Sequence, residues 1–243
     1  MRLMKRILSA AAVLALSASL LVGCSSGTAS SVPVSASSAA ESTVSSVEET
    51  ASSAVDENEA AAAQLLNDLT GSYQELWPVI LADEYKQTWL DDCTALVGED
   101  NAEAAFEKLS SMVTGDVYGE DAVKAYANGG GAYFCGFTNS LATLTFDGET
   151  STISGTDKDG NVLFSHTYPY IGMEPVRGLY EFQSDDADSG EFTYFFLAPD
   201  TSAETYHIEF RYGSDADALS QYDAGDYAYW LASGISTDCD QTM

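Results

Sequence analysis

The segment Thr205-Tyr206-His207-Ile208-Glu209-Phe210-Arg211 brings together the side chains best suited to joint chemistry in this sequence. Its pattern is that of a β-strand. Side chains alternate across a strand, so Thr205, His207, Glu209 and Arg211 share one face and Tyr206, Ile208 and Phe210 the other. An imidazole two residues from a carboxylate on one face makes a pair of metal ligands, and zinc accepts both nitrogen and oxygen. The segment has two readings. His207 lies on the wet side of a half-exposed strand, or it stands at the mouth of a barrel as a metal ligand helped by Glu209.

The remaining candidates are weaker. The only other histidine is His166, and neither histidine has the His-x-x-x-His or Glu-x-x-His spacing of a helical metal site. Asp157-Lys158-Asp159-Gly160-Asn161 begins like a calcium loop, but the twelfth position is Tyr168 where the bidentate Glu belongs. A turn between two strands is the better reading. Asp185-Asp186-Ala187-Asp188 reads as a solvated hairpin tip. There is no G-x-S-x-G elbow and no S-x-x-K motif. Gly129-Gly130-Gly131 precedes a strand pattern rather than a helix, which is unlike a phosphate loop. Nothing here points to an enzyme. The absence of paired Cys-x-x-Cys motifs excludes a finger-type thiolate zinc site.

Cys24 follows Leu21-Val22-Gly23, and before it come Arg2, Lys5, Arg6 and an apolar run from Ile7 to Val22. A basic start, an apolar stretch and a small-residue cleavage site form a secretory signal over residues 1–23. The Leu-Val-Gly-Cys end has the pattern of a lipobox. The resemblance to bacterial lipoproteins implies cleavage before Cys24 and acylation of its thiol and amine. It implies a membrane partner through the lipid anchor, and a place on the extracytoplasmic face of the cell membrane. Cys93, Cys135 and Cys239 remain, an odd number, so at most one internal disulfide forms. The formal net charge is −29. Loss of Arg2, Lys5 and Arg6 on cleavage makes the mature chain more acidic still. Such a surface repels nucleic acid and anionic lipid head groups.

Residues 24–55 are dominated by Ser, Ala, Val, Thr and Glu and hold no aromatic, Leu, Ile or Met residue. Such a stretch buries too little apolar surface to offset its ordering entropy. It reads as a disordered tether spanning roughly 30 Å as a coil. Residues 56–243 suffice for one domain. Leu65, Leu66, Leu69, Tyr73, Leu76, Trp77 and Ile80 recur at steps of three and four, a helical stripe that Gly71 weakens or splits. Asp100 with Glu103 caps a second helix, and a third pattern covers 121–127. From Ala132 onward, short β-patterned runs follow at 132–137, 140–146, 150–154, 161–166, 178–182, 192–197, 205–212 and 226–231. Asp147-Gly148 and Asp159-Gly160 are hairpin turns. The expected fold is α+β: an antiparallel, lipocalin-like (calycin-like) β-barrel with N-terminal helices.

Four ordered blocks give the chain a family resemblance. They are Leu66 to Ile80, with Tyr73, Trp77 and Pro78; Tyr168-Pro169-Tyr170-Ile171-Gly172; Val176-Arg177-Gly178-Leu179-Tyr180-Glu181-Phe182; and Tyr194 through Pro199 and Tyr206-His207-Ile208 to Gly213. The chain resembles the ZinT (YodA) zinc-binding family over residues 60–232. That resemblance implies a calycin-like barrel, zinc as the bound metal, and the binding subunit of a zinc importer as partner. The family holds zinc with three histidines. The first falls on Phe195 here. The following His-x-His pair falls on Thr205 and His207 with one inserted residue, or on Glu204 and Tyr206 without it. A cysteine pair of some relatives falls on His166 and Phe182. At most one of the three ligands is retained, so a metal site must recruit carboxylates. Asp200, Glu204 and Glu209 are the neighbours in sequence, and the candidate set is His207, Glu209 and Glu204. An altered site of this kind is one expectation. A metal-independent barrel that binds a small ligand or another envelope protein is the other. Replacing Cys24 with Ala is expected to move the protein from the membrane to the soluble fraction. A mutant that stays membrane-bound on fractionation contradicts the lipid anchor.

Overall fold

The computed structural model describes residues 57–199 and 207–239. The stretch expected to be a signal, 1–23, the stretch expected to be a tether, 24–55 with Cys24, and Glu204 lie outside these residues.

The first helix, α1, covers residues 57–68 and buries Leu65 and Leu66, with Leu69 just beyond its end. Gly71 takes φ +144, in the range that favours glycine, and turns the chain into strand β1 (Gly71–Glu75). The expected helical stripe is therefore three elements in succession. Leu65, Leu66 and Leu69 cover the inner core. Tyr73 on β1 meets Phe146 edge-on at 5.6 Å. Leu76, Trp77 and Ile80, on the short helix α2 (Leu76–Ile80), build a second core. A 3₁₀ turn (Asp83–Tyr85) leads to α3 (Lys86–Val97) and α4 (Glu99–Val113). Trp89 is fully buried and donates its indole N–H to the Ile80 carbonyl at 2.6 Å, which locks α3 to the end of α2. On α3 only Trp89 and Cys93 are buried, too thin a stripe to announce a helix by periodicity. Helix α5 (Glu120–Ala127) precedes the sheet-forming half.

That half supplies β2 (Thr143–Asp147), β3 (Thr152–Thr156), β4 (Val162–Thr167), β5 (Tyr170–Met173), β6 (Tyr180–Gln183), β7 (Tyr194–Leu197), β8 (His207–Gly213), helix α6 (Ala216–Leu219) and β9 (Ala232–Ser236). The nine strands form one sheet in the order β4-β3-β2-β1-β9-β8-β7-β6-β5. Every pairing is antiparallel. The edge strands β4 and β5 are consecutive in the chain, joined only by Tyr168-Pro169. Three Cα steps span at most ~11 Å, so the sheet has to curl until its two edges meet at this corner. The Asp185 N–H donates to the Thr167 carbonyl at 3.1 Å, and His166 Nδ1 lies 2.6 Å from Asp186 Oδ2, tying the β6 side to β4. This is the α+β architecture expected, a curled antiparallel sheet with helices before it.

Two expected strands need correction. Residues 132–137 make no strand; Phe134 forms isolated bridges to Thr114 and Trp230. The run 226–231 is mostly turn, and the last strand starts at Ala232. In both runs, alternating apolar residues record burial on two sides of a crossing strap, and burial does not require a ladder.

Aromatic rings fill the inside of the curl. Phe195 and Phe210 are fully buried, with Phe195 5.4 Å from Tyr212 and 5.2 Å from Tyr168. Phe164 stacks on Phe192 at 4.1 Å, and Tyr212 meets Trp230 edge-on at 5.0 Å. The buried hydroxyls are satisfied. Tyr168 donates to the Phe192 carbonyl. Tyr212 donates to the Thr138 carbonyl at 2.9 Å and accepts the Thr138 N–H at 2.6 Å. Truncating the ring at the centre, Phe195→Ala, is expected to cost ~3–5 kcal/mol in urea denaturation. A loss below ~1 kcal/mol would contradict a tightly packed interior.

Candidate functional site

The alternation along β8 sorts its residues between two environments. Ile208, Phe210 and Tyr212 point into the aromatic interior. His207 and Glu209 stand on the opposite face and are only half-buried. His207 pairs across the ladder with Ile235, a member of the second core under α2, and Glu209 pairs with Ser233. The pair thus faces the helical layer outside the curl rather than its aromatic interior. His207 Nε2 and Glu209 Oε1 are 3.9 Å apart. Zinc ligands sit at about 2.0–2.2 Å, so two of them in a tetrahedral shell are separated by roughly 3.4 Å. A small rotamer change closes that gap. Among the described residues, no group of three or more His, Cys, Asp or Glu side chains comes together as a metal cluster. Glu204 lies outside the described residues.

Phe195 occupies the position that the ZinT resemblance assigns to the first histidine. It is 0% exposed, and its neighbours are rings. A metal held at this position would have to displace this packing.

Arg211 shares the His207 face, but it is fully buried rather than on a wet strand surface. It donates to the Leu219 and Tyr227 carbonyls, and among the described residues its Nε has no hydrogen-bond partner. Its guanidinium lies 4.4 Å from the centre of the Tyr222 ring, and Arg177 lies 4.1 Å from the same ring. Glu174, also fully buried, accepts the Val176 and Arg177 N–H groups at 2.8 and 2.6 Å. Its Oε2 also receives the Tyr222 hydroxyl at 3.4 Å. Burial lowers the Arg211 pKa to about 10, and burial raises that of Tyr222 to about 12. This cluster pins the segment after α6 against β8 and was not foreseen. The sequence carries one pointer to it: Arg177 and Arg211 are the only arginines after Arg6.

The acidic loops serve turns. Asp157 Oδ1 accepts the Asp159 and Asn161 N–H groups, each at 2.9 Å, and Oδ2 accepts the Asn161 side chain at 2.8 Å. These bonds hold its carboxyl below the usual range and make the segment a hairpin turn, as expected. Asp186 faces His166.

Cys93 and Cys135 are buried, Cys239 is half-buried, and all three are thiols. Cys135 lies close to the β8 pair, since its carbonyl accepts the Ser233 N–H at 3.0 Å. Burial pushes its thiol up to about 12, and the Glu209 charge adds to the shift. The Ser233 and Trp77 side chains lie beside the sulfur and, by hydrogen bonding to it, oppose part of that rise.

The sequence matches no protein-family model and no curated protein. Solved structures similar to it include two that bind zinc. One is the Zn(II)-bound ZinT-like domain of AdcA from Streptococcus pneumoniae, with a TM-score of 0.45 and 14% identity, covering 72% of this chain and 84% of that one. The other is Zn(II)-bound AdcA from the same organism, at TM-score 0.43 and 15% identity. The likeness covers 72% of this chain and about a third (33%) of that longer one. Likenesses this distant assign no residue a role.

With its pKa at about 12, Cys135 holds roughly one thiolate in ten thousand at pH 8. Native protein treated with iodoacetamide at pH 8 is expected to leave Cys135 unmodified until denaturant is added, as read by peptide mass spectrometry. Rapid native labelling would contradict the buried environment.

Proposed function

We propose that this chain is a lipid-anchored protein of the extracytoplasmic membrane face that binds a divalent metal, zinc first, at an altered site on the outer face of β8. In this reading His207 and Glu209 supply the fixed ligands and Glu204, three residues before His207, supplies a third. The observation that carries it is the His207–Glu209 pair, 3.9 Å apart on one face of a single strand. A strand of the sheet holds both backbones rigidly, so the pair pays little to reach ligand geometry. The four sequence blocks shared with the ZinT family support the choice of zinc. The acidic chain favours cations at long range.

One imidazole and two carboxylates form a weaker set than three imidazoles, and binding is expected to be weaker and to suit exchange rather than storage. The protein acts as a binding protein and not as an enzyme. Its anchor and its acidity suit delivery of metal to a membrane neighbour such as the binding subunit of a zinc importer.

Calorimetry on the chain with Cys24→Ala tests the reading. Saturable zinc binding in the micromolar range is expected, with about a tenfold or greater loss in His207→Ala. Zinc binding that is absent, or indifferent to His207→Ala, would contradict it.

A further inference from the structure

A cleft of about 380 Å³ opens between the end of β1, helix α2, the end of α4 and the strap 134–136. That volume is within the range of small-molecule sites. Trp77, Pro78, Leu81, Val113 and Phe134 give it apolar walls. Glu75 is the one ionisable carboxylate among the lining residues, which also include Cys135. No Lys, Arg or His side chain lines the cleft, so the carboxylate meets no opposite charge among the lining residues.

The carboxylate is held in place. Glu75 Oε1 accepts the Phe137 N–H at 2.6 Å. Gly136 makes room for it, because a Cβ there would lie 2.9 Å from Glu75 Oε1 and 3.0 Å from the Phe134 ring. A carboxylate fixed by a backbone donor beside aromatic rings attracts a cation through charge and through the ring faces together. The surrounding chain, at net charge −29, raises the local concentration of cations and repels anions.

From this cleft we infer a binding site for a small organic cation with an apolar body, a protonated amine seated on the aromatic walls with its charge at Glu75. The site is distinct from the His207–Glu209 pair and does not depend on metal. The neutral body of such a ligand fills the space along Trp77 and Phe134. Its ammonium donates to the carboxylate alongside the Phe137 N–H.

Three probes of one shape test this: 2-phenylethylamine, neutral 2-phenylethanol and anionic phenylacetate, titrated by calorimetry into the chain carrying Cys24→Ala. Saturable binding of the amine is expected, at least about tenfold tighter than the alcohol, with phenylacetate not bound. Glu75→Gln keeps an acceptor for the Phe137 N–H, so the fold is retained and the amine's advantage over the alcohol is lost. Should that variant melt early, Gly136→Ala is expected to weaken the amine by crowding the same carboxylate. Equal affinity for amine and alcohol, an advantage that survives both variants, or no saturable amine binding at millimolar concentration would each overturn the inference. Zinc binding of Glu75→Gln is expected to stay at the parent value, which keeps a failure here separate from a failure at His207.

Discussion

Two residues, Tyr168 and Pro169, join the strands that end a nine-stranded sheet, and the curl they enforce governs the rest of the molecule. A flat sheet of this width would hold its edges far apart. The short corner forbids it. The curled inside then needs filling, and it is filled with rings: Phe164, Tyr168, Phe195, Phe210, Tyr212 and Trp230. Tyr168 belongs to both features, as corner residue and as part of the interior packing. Closure and core formation are therefore one event.

A filled interior moves function outward. Where a hollow barrel would place a ligand, Phe195 sits fully buried among rings. The polar chemistry of β8 is on its other face, and each residue there has a distinct setting. Arg211 is buried and committed to the Leu219 carbonyl at the end of α6, the Tyr227 carbonyl beyond it and the Tyr222 ring. His207 and Glu209, nearer the start of the strand, keep partial exposure. The same alternation that packs Ile208, Phe210 and Tyr212 inward sets these three outward. The helical layer over that face is anchored by Trp89 and Trp77, and its edge leaves the cleft at Glu75.

Much of this was legible in the sequence. Asp-Gly turns marked two hairpins, the Thr205–Arg211 alternation placed His207 and Glu209 on one face, and Gly71 marked a break. The stripe from Leu65 to Ile80 misled because a helix, a strand and another helix can each present apolar residues at compatible steps. The strap at 132–137 has strand composition without strand pairing, since its alternate residues are buried by different neighbours. Arg211 looked like a surface residue because charge in a strand pattern usually means solvent. Only the return of the chain through Leu219, Tyr222 and Tyr227 buries it, and that contact spans residues distant in any local pattern. Glu75 likewise gains its meaning from Phe137 and Gly136, which no local spacing connects.

The chain contains just two histidines, His166 against Asp186 and His207 against Glu209, so their ring nitrogens report the two faces separately. A zinc titration followed by long-range ¹H–¹⁵N NMR of the imidazoles tests most directly whether function lies on the outer face of β8. The His207 ring nitrogens are expected to shift and saturate while those of His166 stay in place. Movement of His166 alone, or of neither ring, would contradict a metal site on that face.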